Sequence, residues 1–218
     1  LSFRGRAQND PGPMVGDTGT ITFNYQGAAV TYTTVRAADG LIWLQQNLGA
    51  PQVANYATDT AANGHYFQWG RWDDGHQLPN SLTAPVSSIN PANPAGLIIE
   101  NDNFLLDLWP ANWWWYGGTG NDTWTDAPPS TINGTDPCAA VGPGWHMPTL
   151  AEFTNLAVLE GITDSSSAFN SSLKISLAGR RDYITGALGY SGLSARLWTS
   201  SAFDTLASSM HISSYVDL

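Results

Sequence analysis

The 218-residue chain has few residues of several kinds, and each shortage excludes a class of protein. Its one cysteine, Cys138, excludes an internal disulfide and a zinc site built from several thiolates. Eight basic residues against 18 acidic ones give a net charge of −10. Nucleic acids and anionic membranes bind clustered Lys and Arg, so both are poor partners for this chain. No apolar run approaches the roughly 20 residues of a membrane-spanning helix. We therefore expect no nucleic-acid partner and no direct membrane insertion.

What the chain does have is enough apolar material for a core. Hydrophobic residues make up 42% of it, and 10 of them are Trp, whereas charged residues make up only 12%. That charged share is about half the share typical of soluble domains. Residues 1–18 carry Pro, Gly, Asp and Asn without periodicity, which predicts a linker or N-terminal arm. Residues 19–218 are long enough to form one domain without metal or disulfide cross-links.

Local patterns predict strands near both ends of the chain and a helix between them. Residues 19–25 and 29–36 are rich in β-branched and aromatic side chains and flank a Gln26-Gly27 turn. Shorter strands are expected at 41–44, 197–202 and 209–216. Thr149 and Glu152 form a capping box, so a helix should begin there, bury Leu150, Phe153, Leu156 and Ala157, and end at Gly161. A weaker helix is expected over 165–172. Without β–α–β alternation, this order predicts an α+β fold.

Residues 50–135 are mostly irregular by sequence and hold a dense aromatic cluster, which is consistent with a functional insert. Stacked indoles can form a platform for sugar rings, or they can plug the core of a loop-rich domain with few aliphatic side chains. Both readings stay open. The cluster consists of Trp109, Trp113, Trp114, Trp115, Tyr116 and Trp124.

Catalytic and metal-binding signatures are missing. The four histidines, His65, His76, His146 and His211, have no metal-ligand spacing, so we expect surface or loop positions for them. There is no nucleophile elbow and no phosphate-binding glycine loop. The acidic groups, such as Asp73-Asp74, match no calcium loop, and we expect solvated loop carboxylates with a bound calcium as the alternative. The sequence thus predicts a protein that is not an enzyme and has no cofactor.

Five segments together resemble one family. They are LIWLQQNL at 41–48, GHYFQWGRWD at 64–73, DPC…GWHMPT..EF at 136–153, KISLAGRRD at 174–182, and GALGYS with LWTSS at 186–201. In this order they resemble the Fibrobacter succinogenes major paralogous domain family, which overlaps the C-type-lectin-fold variable proteins of diversity-generating retroelements. The resemblance covers about residues 30–216. The chain departs from the family pattern in the longer AAVGP segment after Cys138 and in His146, where the family has Arg.

The resemblance implies a C-type-lectin-like fold, with mainly antiparallel sheet, one or two helices, and a ligand face built from long loops and the last strands. Trp145 and Trp198, which lie within the motifs, are expected in the core. The calcium-and-sugar triplets of animal lectins are absent, so the fold does not by itself imply calcium-dependent sugar binding. Family equivalents of Cys138 often lie near a cysteine of a closing strand, a segment that this sequence does not contain.

By the same resemblance, the function is recognition of a protein or glycan on a cell surface by a bacterial surface or phage protein. The location implied is extracellular, on a cell surface or a virion. In relatives diversified by retroelements, the varied residues lie in the C-terminal third, which corresponds to about 180–216 here. Tyr, Ser and Arg suit such contacts. The predicted ligand-binding residues are Arg181, Tyr183, Tyr190, Ser191, Ser194, Arg196 and His211, with Trp114 on the insert as one wall.

Two alternatives belong to other classes. The first is a structural tip, decoration or assembly module of a pilus or phage particle, for which a stable homo-oligomer would be the sign. The second is an enzyme, because formylglycine-generating oxidases share this fold. They depend on a cysteine pair, and the single Cys138 argues against that activity.

Overall fold

The computed structural model describes residues 9–69, 71, 73–85, 102–106, 136–203, 206–214 and 216–217. Within these ranges the domain has mixed α+β structure, with short, mostly antiparallel sheets and two helices, which confirms the predicted class. The elements are β1 (Thr18–Tyr25), β2 (Ala28–Arg36), β3 (Ile42–Leu44), β4 (Thr83–Pro85), β5 (Phe104–Leu106), α1 (Leu150–Leu159), α2 (Ser165–Asn170), β6 (Arg180–Arg181), β7 (Leu188–Gly189), β8 (Ala195–Phe203), β9 (Leu206–Ile212) and β10 (Val216–Asp217), with 3₁₀ turns at Thr60–Ala62 and Pro137–Val141.

The N-terminal sheet has the order β1-β2-β3 and is antiparallel throughout. Its hairpin closes through Gln26 and Gly27, whose φ angles of 51° and 76° are both in the left-handed region. Two such residues form the type of turn that matches the twist of the flanking strands. The predicted strand pair and its turn are therefore confirmed. Residues 9–17, which we expected to form a linker or arm, lie against this sheet, because Asn9 pairs with Thr20 and the Arg36 side chain donates to the Gly12 carbonyl.

Helix α1 starts where its capping box predicts. The Thr149 hydroxyl accepts from the Glu152 amide at 3.1 Å, and the Glu152 carboxylate accepts from the Thr149 amide at 2.8 Å. Phe153, Leu156 and Ala157 are buried, as the helical spacing requires, whereas Leu150 at the first position of the helix is only half-buried. The second predicted helix is also present as α2.

The C-terminal sheet has the order β10-β9-β8. A single strand over 209–216 is wrong: the chain bends at Ser213 and folds back, so that Val216 of β10 pairs with Ile212 of β9. The Ser213 carbonyl instead accepts from the Ser165 amide at the start of α2, at 2.7 Å. The carbonyl that would have continued the strand thus caps a helix.

Two buried clusters make up the core of the described residues. The first lies beneath the N-terminal sheet and the Pro137–Val141 turn, and its indoles are Trp69 and Trp145. The second joins β2 and β3 to α1 and the C-terminal sheet, with Trp43 and Phe153 in ring contact at 5.5 Å. None of the described helices is long and apolar enough to cross a membrane.

The two motif tryptophans should differ in their contribution to stability. Trp145 is 1% exposed, as predicted, whereas Trp198 is only half-buried and packs against the edge of the first cluster. Trp145→Ala should therefore lower the free energy of unfolding by about 3–5 kcal/mol, and Trp198→Ala by roughly 2 kcal/mol. Urea unfolding of both variants measures this. A larger loss for Trp198→Ala would show that the burial has been assigned to the wrong indole.

Candidate recognition surface

A short hairpin after the KISLAG segment carries several of the predicted ligand residues. Strands β6 and β7 pair as Arg180 with Gly189 and Arg181 with Leu188. The connecting turn is held by the Asp182 carboxylate, which accepts from the Ile184 and Thr185 amides at 3.0 and 2.8 Å and from the Thr185 hydroxyl. These hydrogen bonds lower the pKa of Asp182. We call residues 180–193 the hairpin surface.

Arg181 attaches this hairpin to the loop segment 76–81. Its Nη1 donates to the Ser81 hydroxyl at 2.6 Å and to the Leu78 carbonyl at 3.1 Å, and its Nη2 donates to the Ser81 carbonyl at 2.7 Å. Its Nε donates to the Gly186 carbonyl across the hairpin, and the guanidinium lies 4.3 Å from the Phe104 ring centroid. These donors are directed into the domain, and the ligand contact predicted for Arg181 stays a prediction. Arg181 positions the hairpin.

Behind Arg181 lies a buried ionic cluster. The Asp74 carboxylate accepts from Arg71 Nη2 at 2.8 Å and from His76 Nδ1 at 2.5 Å. Arg71 Nη1 also donates a hydrogen bond to the Gln68 side-chain carbonyl at 2.7 Å. That Gln68 amide group pairs with both backbone groups of Leu105 in β5, as a neighbouring strand would. The cluster therefore orders the segment that Arg181 binds and the strand beside it.

The protonation state of His76 follows from its partners. Its Nε2 accepts from the Gln68 backbone amide at 2.9 Å, so the proton of the neutral ring is on Nδ1, facing Asp74. Burial, helped by the charge of Arg71, lowers the pKa of His76 to about 4. Burial alone would raise the pKa of Asp74, but the hydrogen bond from His76 and the charges around it lower it.

His76 lies in a loop, as one of the two expected positions, but it is 0% exposed and therefore not at the surface. The solvated state expected for Asp73-Asp74 is wrong, because Asp74 lies in the ionic cluster and burial raises the pKa of Asp73 to about 6. Among the described residues, no three His, Cys, Asp or Glu side chains gather as a metal site. The thiol of Cys138 is fully buried, and burial raises its pKa to about 12, which makes it a poor nucleophile.

The hairpin backbone packs directly against Gly179, which leaves no room for a side chain at that position. A Cβ at this position would lie 2.2 Å from the Gly189 carbonyl oxygen and 2.5 Å from the Ser191 nitrogen, and Gly179 has a φ of 74°. Tyr190 follows with a φ of 63°, an uncommon conformation for a residue with a side chain. Its carbonyl accepts from the Leu193 and Ser194 amides at 2.9 and 3.0 Å. Backbone contacts on both sides thus hold Tyr190 in place.

Apolar side chains project from this rigid frame. Of the eleven large hydrophobic side chains that are exposed among the described residues, five lie between positions 183 and 193. A rigid frame with clustered exposed apolar groups is typical of an interaction surface. The five, with their exposed fractions, are Tyr183 (41%), Ile184 (54%), Leu188 (47%), Tyr190 (54%) and Leu193 (70%).

The remaining predicted ligand residues divide between surface and interior. Ser191 is exposed and its hydroxyl accepts from the Asn63 side chain at 3.0 Å. Ser194 is 8% exposed, so its prediction as a solvent-facing contact is corrected: the neighbouring Gly179–Ala195 bridge draws it into the domain. Arg196 is exposed and lies opposite the half-buried His211 on the β8–β9 ladder, outside the hairpin. Trp114 lies outside the described residues.

Sequence reasoning missed Arg180, Ile184, Leu188 and Leu193. A signal was available in the adjacent arginines, because successive residues of a strand face opposite sides. The two side chains therefore leave opposite sides of the strand and cannot share the same partners, although both are half-buried.

His76 should remain neutral well below pH 6. In an NMR titration of the imidazole resonances, His76 should titrate near pH 4, and its neutral form should be the tautomer protonated on Nδ1. His146 should titrate at a higher pH than an ordinary histidine, because its hydrogen bond to Glu152 raises its pKa. The unfolded chain takes up the proton of His76 near 6.5. Neutral His76 therefore stabilises the fold fully above pH 6.5, and acidification towards pH 4 removes that contribution. A midpoint near 6.5 for His76 would contradict the buried cluster.

Gly179→Ala should displace the hairpin. The added methyl group meets backbone atoms and the left-handed conformation is unfavourable, so the free energy of unfolding should fall by more than about 2 kcal/mol. Gly40→Ala is the matched control, since Gly40 has a φ of 80° with nothing within 4 Å of the added Cβ. It should lose only the conformational part, roughly 1–2 kcal/mol. Equal losses in chemical denaturation would mean that the close approach is not rigid.

Comparison of the chain with known proteins leaves its family open. No protein-family model matches it, and neither a curated protein nor a solved structure does. Its function has to be inferred from the geometry of the hairpin surface together with the motif resemblance.

Proposed function

We propose that this domain is a non-catalytic recognition module that binds a protein or glycan partner through the hairpin surface. The observation that carries the proposal is the combination of a hairpin immobilised by Arg181 and Gly179 with five exposed apolar side chains on it. A preorganised apolar surface binds without first losing conformational entropy, which favours affinity. Aromatic residues are enriched in such interfaces.

A C-type-lectin-like fold and an extracellular location are part of the proposal, and the roles of the motif residues support them. In the DPC…GWHMPT motif, the Asp136 carboxylate accepts from the Cys138 amide at 2.8 Å and from the Met147 amide at 2.7 Å. It thereby fastens a 3₁₀ turn to the chain that precedes α1. Trp145 lies in the first core cluster and Thr149 caps α1. The motif residues serve the scaffold, which is consistent with a family that shares a frame and varies its ligand face.

Few charges and no clustered bases favour partners that are recognised by shape and apolar contact. The described part of the chain also presents no reactive thiol, since Cys138 is buried. We therefore propose a binding role and no catalytic one. Diversification of residues 180–216 by a retroelement belongs to the same proposal, and a reverse transcriptase beside the gene, with a template repeat matching that region, would be its signature.

The alternative is a structural or assembly module of a surface appendage or phage particle. The same exposed side chains favour it, because Leu188 and Leu193 would suit a contact between copies of this chain. Light scattering after size exclusion separates the two functions. A stable homotrimer that dissociates on Leu193→Ser would support assembly, and a monomer would support recognition.

Replacing Tyr183, Leu188 and Leu193 together by Ser should abolish partner binding. All three are exposed, so each substitution should change the free energy of unfolding by no more than about 0.5 kcal/mol, and the melting temperature should change little. Binding is measured on peptide and glycan arrays against the unaltered chain.

The matched control replaces Val158 and Leu159 by Ser, because they are 74% and 51% exposed but lie on α1. Their loss should leave binding intact. If binding survives the hairpin change and fails on Trp114→Ala, the site lies on the aromatic insert.

A further inference from the structure

The two adjacent arginines of the hairpin have opposite environments. Arg181 is engaged with Ser81, Leu78 and Gly186. Across the described residues, the side chain of Arg180 has no hydrogen bond and no ion pair, and its Nε is buried without a partner, whereas its backbone pairs with Gly189. Its one described contact is with the Tyr190 ring, 4.5 Å from the guanidinium carbon. A guanidinium has five N–H donors, so most of the hydrogen-bonding capacity of Arg180 is unused by the fold.

The nearest acidic side chain in sequence does not satisfy Arg180. The pKa of Asp182 is lowered mainly by the hydrogen bonds that its carboxylate accepts within the hairpin turn, and the positive charge of Arg180 contributes less. The Asp182 carboxylate is thus held in the turn by Ile184 and Thr185. A positive charge without a direct partner is notable in a chain whose net charge is −10.

The platform beneath Arg180 is strained and fixed. Tyr190 has a φ of 63°, and such a conformation in a residue other than Gly persists only where the surroundings impose it. Here the close approach of Gly179 and the hydrogen bonds to the Tyr190 carbonyl impose it. The result is an aromatic ring on a fixed backbone position, with the guanidinium carbon of Arg180 lying over it at 4.5 Å from the ring centroid.

We propose that Arg180, held on the Tyr190 ring, binds a carboxylate side chain of a protein partner. The proposal rests on the proposed function and names the ligand chemistry of the same surface. A planar guanidinium matches a carboxylate through two parallel hydrogen bonds, and apolar neighbours strengthen that pair by excluding water.

Two observations favour a protein partner over an acidic glycan. Ile184, Leu188 and Leu193 present aliphatic surface, which a protein covers with its own apolar side chains and which gives a sugar little to bind. The net charge of −10 repels strongly acidic partners at long range. The expected ligand is therefore a single Asp or Glu within an apolar segment.

Selection from a library of random displayed peptides on the intact 218-residue chain tests this. The selected peptides should carry one Asp or Glu flanked by apolar residues. Exchanging that acid for its amide, or Arg180→Gln in the domain, should each weaken binding by at least about tenfold in calorimetry. The two changes together should weaken it no further than one alone. Arg180→Lys keeps the positive charge but cannot form the two parallel hydrogen bonds of a guanidinium, and it should bind the peptide substantially more weakly than the parent.

Lys174→Gln is the matched control, since it removes another cation that lies over an aromatic ring, that of Phe169 at 5.2 Å. It should leave peptide binding unchanged. The melting temperature of Arg180→Gln should stay close to that of the parent, because the substitution keeps the backbone pairing with Gly189 and the Arg180 side chain makes no hydrogen bond in the described part of the fold.

Three other outcomes would contradict the carboxylate contact, the recognition surface or the protein partner. Peptides that depend on Tyr183, Leu188 and Leu193 but bind the Arg180→Gln variant equally well would refute the carboxylate contact and leave the recognition surface standing. If no selected peptide depends on the hairpin, the proposed function fails with it. If sialic or uronic acid glycans bind through Arg180 and no peptide does, the protein partner is wrong.

Discussion

The Asp74 carboxylate, held between Arg71 and His76, is the interaction on which the loop-rich half of this domain depends. Removing charges from water is costly, and the cost is met only when each charged group finds several partners. Here Arg71 reaches on to Gln68, and the Gln68 amide substitutes for a strand beside Leu105. A segment with little regular structure is thereby ordered by polar contacts as well as by the apolar packing of Trp69. The neutral state of His76 is part of the same arrangement, because its Nε2 must accept a hydrogen bond.

The hairpin surface inherits its rigidity from that cluster. Arg181 binds the 76–81 segment that the cluster orders, and the hairpin cannot move without breaking several charge-assisted hydrogen bonds. Gly179 adds a backbone contact that no other residue allows. A rigid base lets exposed apolar side chains stand together without collapsing onto the domain. One arginine of the pair serves the scaffold, and its half-buried neighbour Arg180 has a buried Nε without a hydrogen-bond partner.

The tryptophans show how a chain with few charges still builds a core. Trp43, Trp69 and Trp145 are nearly inaccessible to solvent, and each fills space between short elements that could not bury much on their own. Trp69 also donates from its indole nitrogen to the Thr199 carbonyl at 2.7 Å, which ties the first cluster to β8. Large aromatic side chains with one polar atom thus pack and cross-link at once. Trp145 differs, because its buried indole nitrogen has no hydrogen-bond partner among the described residues, and it contributes by packing.

Three features could be predicted from short stretches of sequence, because the interactions that cause them lie within a few residues. They are the Gln26-Gly27 hairpin, the helix start at the Thr149–Glu152 capping box, and the burial of Trp145. Local signals in the sequence also placed the candidate surface in the stretch from 181 onward. They did not predict that Arg181 anchors the hairpin through Ser81. They placed Ser194 at the surface although it is buried, and they predicted a solvated carboxylate where Asp74 lies in the ionic cluster. Those outcomes depend on partners far away in the chain, such as Ser81 for Arg181, and on pairings no periodicity encodes. Turn and cap energies act within a few residues, whereas the state of a buried charge is decided only when the tertiary structure brings its partners to hydrogen-bonding distance.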